Sequence, residues 1–548
     1  MVESNPPADR GIGRAIWFFV ALGISLRIAR YAMNFPIWWD EAFVAVNFLR
    51  RDYLDLLRPL DYGQVGPLLF LWAELSAVRL WGFSELSLRA FPMACAVLSV
   101  PLFRFAAGRV LSGLPLLLAV AVFAVSYHPI RHSADIKPYA SDVLVSTLLL
   151  AMALQWYREP RRAGWLWGLV AVVPMALGLS NPAVFVAGGI GLAIGPGAWR
   201  AGRSARLAGV SMLLVTAATF FALYFGFTRA QAEATLPGMR GYWSEAFPPV
   251  GDPLAILKWV VMVHAGDMLS YPCGGDRGGS GLSLLLLLAG VVALWRSRQK
   301  TVLAACLIPF GLALLAATLR RYPYGDAART MQYLAPATCL LIGAGAAACL
   351  SRISKAGGKT RALRMSLLAL AMIGIVPTVA ELWHPYRSVH SDQARRFARE
   401  FWPEVARGAE VACLRWDLGI DRWDTIDLDV AVYLCNQAIY APQRQADRHP
   451  LRASLATGRP LRVVRSKAEA VDDAPAWLEP LQRRYTLRRR VSIVVDMAGP
   501  GASRSRPERY EVFEFWPRPS ALTIGPDTFP RFSASASSAI GSARGPRR

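Results

Sequence analysis

The strongest constraint on this 548-residue chain is a series of apolar runs, each close to the ~20 residues a helix needs to cross a bilayer. They fall near 13–33, 88–107, 111–128, 139–157, 165–180, 183–198, 207–226, 280–295, 301–319, 331–350 and 365–383. The length alone would allow several soluble domains, but a chain that is 54% hydrophobic and only 18% charged, with its apolar residues in such runs, is not a string of soluble domains. Nor is it disordered as a whole. The expected fold is an all-α polytopic membrane bundle of about eleven transmembrane helices.

The net charge of +23 leaves nucleic acid, an anionic membrane or an anionic substrate as partners. Its distribution decides among them. Every second loop is short and basic: Arg104 and Arg109; Arg158, Arg161 and Arg162; Arg200, Arg203 and Arg206; Arg296, Arg298 and Lys300; and Arg352, Lys355, Lys359, Arg361 and Arg364. The positive-inside rule makes these loops cytoplasmic, together with Arg10 and Arg14 at the N-terminus, and eleven spans put the C-terminus outside. The first run has Arg27 and Arg30 near its end and no small-x-small site after it, so it is expected to stay as a span and not be cleaved. Pro67–Trp81 is short and carries Glu74 and Arg79, and counting it would invert every later loop. It reads as an interfacial helix on the external surface.

Beyond the last run, 384–520 shows short strand-like segments at Glu410–Leu414, Leu461–Val464, Val491–Asp496 and Tyr510–Phe515, and helical patterns at Asp392–Val405 and Asp427–Asn436. A small external α/β domain is expected there, after a membrane domain over 1–383. A Ser/Ala/Gly-rich tail over 521–548 is expected to be disordered. Cys413 and Cys435 are the only cysteines in the external domain, where an oxidising location permits a disulfide.

Chemistry is sought where charge departs from topology. Asp40 and Glu41 follow Trp38-Trp39 just past the first span. They suit the first turn of a helix, and equally suit a general base at a partly desolvated membrane surface. The loop 128–138 is external yet basic, with Arg131, Asp135 and Lys137 ahead of Pro138-Tyr139. Its cations either neutralise Asp135 or await an anion such as a phosphate. The loop 320–329 repeats the anomaly with Tyr322, Tyr324 and Arg329. No Walker A pattern and no Cys/His ligand spacing occurs, so no cofactor is required. A divalent metal, if there is one, falls to Asp40 and Glu41.

Four segments follow one another in a telling order: the Asp40-Glu41 pair, Gln64-Val65-Gly66-Pro67, Gly82-Phe83-Ser84-Glu85-Leu86-Ser87-Leu88-Arg89, and Asp135-Ile136-Lys137-Pro138-Tyr139. This order resembles the polyprenyl-phosphate-dependent membrane glycosyltransferases of the GT-C superfamily. The likeness is to the bacterial branch related to protein O-mannosyltransferases, lipid A aminoarabinose transferase and rhizobial lipopolysaccharide galacturonosyltransferases, and it covers roughly 10–350. The resemblance implies a helical bundle with an external cavity and interfacial helices in the first external loop. Asp40 is then the carboxylate acting on the acceptor, with Glu41 its companion. Arg131, Asp135, Lys137, Tyr139, Tyr324 and Arg329 are candidates for the donor phosphate and sugar, Lys137 standing where many relatives have Arg.

The expected activity is transfer of a hexosyl or pentosyl unit, with inversion, from a polyprenyl-phosphate donor to a hydroxyl of a cell-envelope glycan, lipid or protein. The expected location is the inner membrane, with the N-terminus cytoplasmic and the C-terminal domain periplasmic. The competing class is a transporter or lipid flippase, which would place its charges at mid-membrane and show internal repeats. Segment 384–548 holds 27 Lys/Arg against 19 Asp/Glu, leaving +15 for the membrane part, so the basic excess meets a bilayer and a lipid phosphate and not nucleic acid.

Overall fold

The computed structural model describes residues 7–234, 243–275, 278–325, 327–352, 356–404, 410–415, 428–441, 460–467, 482–483, 485–495 and 508–518. The chain divides into two compact units, one of residues 1–404, 426–446 and 495–508, the other of 405–425, 447–494 and 509–548.

In chain order the helices of the first unit are α1 (Pro7–Ala32), α2 (Trp39–Ala45), α3 (Leu68–Trp81), α4 (Ser87–Ala107), α5 (Gly113–Val125) and α6 (Tyr127–Arg131). Then come α7 (Tyr139–Arg158), α8 (Gly164–Leu179), α9 (Ala183–Arg200), α10 (Arg203–Leu223), α11 (Pro253–Ala265), α12 (Ser280–Arg296) and α13 (Lys300–Thr318). The last are α14 (Ala335–Ser351), α15 (Ala356–Trp383), α16 (Val389–Glu404) and α17 (Leu428–Tyr440). A helix stands at each of the eleven expected runs. Among the described residues, eight helices are long and apolar enough to cross a membrane, and nine if α5 and the 127–134 segment, bent by 44°, make one span. α8 and α12, at 16 and 17 residues, are shorter apolar helices, so the count of eleven stays an expectation.

α5 and α14 are buried almost all round, as central helices must be, while α15 lies at the periphery. Tight packing comes from small residues: a Cβ on Gly345 would come within 1.9 Å of Leu286 O, and one on Gly290 within 2.0 Å of Leu341 O, so α12 and α14 meet backbone to backbone. The break after α5 leaves unsatisfied carbonyls inside the bundle. Arg27 of α1, fully buried, answers them by donating to Ala124 O at 2.9 Å, as it does to Gly23 O in its own helix. A basic residue at a helix C-terminus is favoured by the helix dipole as well.

α3 occupies the segment expected to lie on the surface. Its 14 residues extend about 21 Å, short of the bilayer core. Glu74 within it is fully buried, and both carboxyl oxygens lack a hydrogen-bond partner among the described residues. Burial, and next the neighbouring Glu41, push its carboxyl well above the usual range, so it is held as the neutral acid.

The second unit contains a four-stranded sheet of β1 (Glu410–Arg415), β2 (Leu461–Lys467), β3 (Tyr485–Val495) and β4 (Glu508–Pro517), in the order β1-β2-β4-β3. β1 and β2 are parallel, β2 and β4 antiparallel, with Leu461 opposite Phe515 and both fully buried. All four expected strands are present, β3 starting at Tyr485 and so running well ahead of the expected Val491. The two expected helices form as α16 and α17. They belong to the first unit, so the division into compact units does not fall at 383/384. Cys435 on α17 is a free, buried thiol whose Sγ lies 3.9 Å from Ala42 O, so the disulfide considered with Cys413 is not formed. The 521–548 tail lies outside the described residues.

Candidate active site

α2 begins at the aromatic pair because Trp38 O accepts from Glu41 N and Ala42 N, which leaves Asp40 and Glu41 in the first turn. Consecutive positions on a helix point about 100° apart, so the two carboxylates face different surroundings.

Asp40 faces a rim of cations. Lys137 Nζ is 2.9 Å from Asp40 Oδ1, and Arg329 Nη1 is 3.9 Å from Oδ2. All three side chains keep some solvent access, Asp40 being 16% exposed. Lys137 also donates to Gln64 Oε1 at 2.7 Å, so an amide from the segment between α2 and α3 helps aim the ammonium. Tyr139 lies within electrostatic reach of both Asp40 and Arg329, and its ring meets His132 edge-on at 5.2 Å. Two segments far apart in sequence thus converge on the carboxylate of a third.

Glu41 does something else. It is fully buried and accepts from Arg89 Nη2 at 2.6 Å, Arg89 Nε at 3.1 Å and Ile136 N at 3.1 Å. Both oxygens are therefore occupied, and the bidentate pair is the strong form of the interaction. Arg89 also donates to Pro36 O, so Glu41 and Arg89 tie α2, α4 and the 132–138 loop together. Both Glu41 oxygens are thus engaged within the protein, while those of its neighbour lie at the rim.

Asp135 is buried beside His132 Nδ1 at 2.7 Å and Arg387 Nη1 at 2.8 Å. Burial alone would raise its carboxyl. The Arg387 guanidinium and His132 overcome that and hold it well below the usual carboxylate range.

Two expected site residues are diverted. Arg131 donates to Tyr127 OH and lines a small cavity with Glu381 of α15. Tyr324 is buried with its hydroxyl 3.1 Å from His264 Nε2 of α11. Among the described contacts neither residue joins Asp40. A divalent metal does not suit the donor set: each Asp40 oxygen faces a cation, the Glu41 oxygens are taken, and no group of three or more His, Cys, Asp or Glu among the described residues could hold an ion.

Residues not singled out from the sequence complete the assembly. Gln64 and Arg89 stood in quoted segments without an assigned role. Arg387 and Arg395 carry no local signal, because both lie after the last span and reach back to the loops. Arg395 donates to Asn34 O and pairs with Glu85 at 3.3 Å, which also accepts from Tyr440 OH of α17 at 3.0 Å.

No protein-family model matches the chain, and no curated protein matches it in sequence. Solved structures do match in shape. ArnT from Cupriavidus metallidurans bound to undecaprenyl phosphate is similar at TM-score 0.52 and 14% identity, over 91% of this chain and 97% of that one. The apo state of the same protein gives TM-score 0.49 and 14% identity over the same shares. The Archaeoglobus fulgidus oligosaccharyltransferase in its apo form gives 0.45 and 13%, over 82% of this chain and 65% of that one. The first of these likenesses carries the fold alone: over most of its length the chain is folded like that protein, as the resemblance implied.

Proposed function

We propose that this protein is an integral-membrane glycosyltransferase that moves one sugar from a polyprenyl-phosphate donor to a hydroxyl of a cell-envelope glycan, lipid or protein. The observation that carries the proposal is the Lys137–Asp40–Arg329 constellation, on a fold similar to a protein solved with undecaprenyl phosphate bound. A sugar phosphodiester is an anion, which suits a rim built with Lys137 and Arg329.

In the reaction, Lys137 and Arg329 hold the phosphate and offset the charge that grows on it as the anomeric C–O bond breaks. Asp40 orients the acceptor hydroxyl and takes its proton as the new C–O bond forms. The products are the glycoside with inverted anomeric configuration and the polyprenyl monophosphate. Tyr139 lines the same rim. Glu41 and Arg89 act by holding Asp40 in place.

The site would lie at the periplasmic side of the inner membrane, with the N-terminus cytoplasmic and the sheet-containing unit external. The test is transfer of radiolabelled sugar from defined polyprenyl-phosphate sugars to membrane lipid, glycan or protein. Label appearing on an acceptor, with release of polyprenyl phosphate, supports the assignment. Movement of intact lipid across the bilayer without transfer favours a flippase instead.

A further inference from the structure

Arg387 sits in the turn between α15 and α16, 252 residues from the loop it touches. Its guanidinium makes two contacts at once. Nη1 lies 2.8 Å from Asp135 Oδ2, and the guanidinium carbon lies 3.8 Å from the centre of the Trp38 ring. The side chain is 11% exposed, so both contacts are formed largely out of water.

Each end of this bridge is one step from the site. Trp38 O accepts the first N–H groups of α2, whose next residues are Trp39 and Asp40. Asp135 O accepts Lys137 N at 2.8 Å, and between them Ile136 N donates to Glu41. The carboxylate of Asp135 is thus bound to the backbone that aims Lys137, and the ring of Trp38 to the backbone that aims Asp40.

We infer that Arg387 is a positioning residue for transfer: by joining Asp135 to Trp38 it clamps the loop carrying Lys137 to the helix carrying Asp40. The inference rests on the glycosyl-transfer function proposed above. Arginine suits the task because its plane stacks on an aromatic ring while its edge meets a carboxylate, and lysine cannot do both. A buried aspartate stripped of this partner would keep His132 as its direct contact among the described residues, with Arg30 acting from further off, and its loop would move to find solvent or another cation. Displacement by about 1 Å at the reacting groups costs on the order of 100-fold in rate.

The test uses the full-length protein in lipid nanodiscs and a labelled polyprenyl-phosphate sugar. Wild type, Arg387→Ala, Arg387→Lys, Asp135→Asn and the Asp135→Asn/Arg387→Ala double variant are compared. Arg387→Ala is expected to lower kcat about 100-fold, to change the donor KM by no more than about threefold, and to regain at least about tenfold in added guanidinium. Because the two side chains act through one contact, adding Asp135→Asn to Arg387→Ala is expected to cost no more than about threefold further. Arg387→Lys, which keeps the charge and loses the plane, should fall between Ala and wild type; it carries the test if the Ala variant does not fold.

An active wild type with Arg387→Ala and Arg387→Lys both within about twofold of it would overturn the positioning role alone. So would a loss that guanidinium does not restore and that Asp135→Asn multiplies in full. A wild type that transfers nothing would overturn the proposed function, and this inference with it.

Discussion

The ammonium of Lys137 stands 2.9 Å from a carboxylate oxygen of Asp40, although 96 positions, with α3, α4 and α5 among them, lie between the two in the chain. The same ammonium reaches Gln64 at 2.7 Å. A cation held between a carboxylate and an amide is aimed before any ligand arrives, which lowers the ordering cost of binding an anion.

Lys137→Met should therefore weaken binding of undecaprenyl phosphate by about tenfold, or about 1.4 kcal/mol, while Lys137→Arg stays within about threefold. Titration of the lipid phosphate into purified protein checks this. Equal binding by the Met variant and wild type would remove Lys137 from the phosphate site.

Glu41 and Arg89 give a stability prediction. Glu41→Gln leaves a guanidinium buried with carbonyl oxygens alone, a change that typically costs about 3–5 kcal/mol. Thermal unfolding in detergent should show a marked drop. The Glu41→Gln/Arg89→Met double variant should recover at least about half of it, because the buried charge goes with its partner. Additive losses would mean the two side chains are not coupled.

Glu74 gives a pH prediction. Its folded value lies well above the ordinary 4.5, so the folded state holds the proton more tightly than the unfolded chain does. The stabilisation is fully present below pH 4.5 and is lost as pH rises through the folded value. Glu74→Gln removes the titration and keeps the shape. The stability of wild type relative to this variant should fall as pH rises. Parallel pH profiles would show that Glu74 does not titrate in this way.

Helices and strands were legible in the sequence because they depend on local hydropathy and period. All eleven apolar runs are helical, and the interfacial segment forms α3 with too few residues to span. Lys137 and Arg329 stood out because cations in loops expected to be external need a partner, and Asp40 because it follows an aromatic pair past the first apolar run; the structure brings the three side chains together. Arg131 met the same criterion and Tyr324 shared the loop of Arg329, yet nearer groups, Tyr127 and His264, took their polar atoms. Which way a side chain turns depends on helix rotation and loop closure, and neither leaves a pattern in one sequence. The split between Asp40 and Glu41 is of that kind, since two adjacent carboxylates read alike until the burial of one and the partial exposure of the other are seen. Arg387 is the extreme case, a lone arginine after the last span whose partners lie in loops near the other end of the chain.

The decisive measurement is transfer of labelled sugar from a polyprenyl-phosphate donor by purified wild type and Asp40→Asn. Loss of the proton acceptor should lower turnover by about 10²–10⁴-fold. Asp40→Asn should still fold and still bind undecaprenyl phosphate, because Lys137 and Arg329 remain and are released from the carboxylate. Wild-type transfer with an inactive, lipid-binding Asp40→Asn is the predicted result. A fully active Asp40→Asn would contradict the assigned role of this carboxylate, and absence of transfer by wild type from every polyprenyl-phosphate sugar would contradict glycosyl transfer itself.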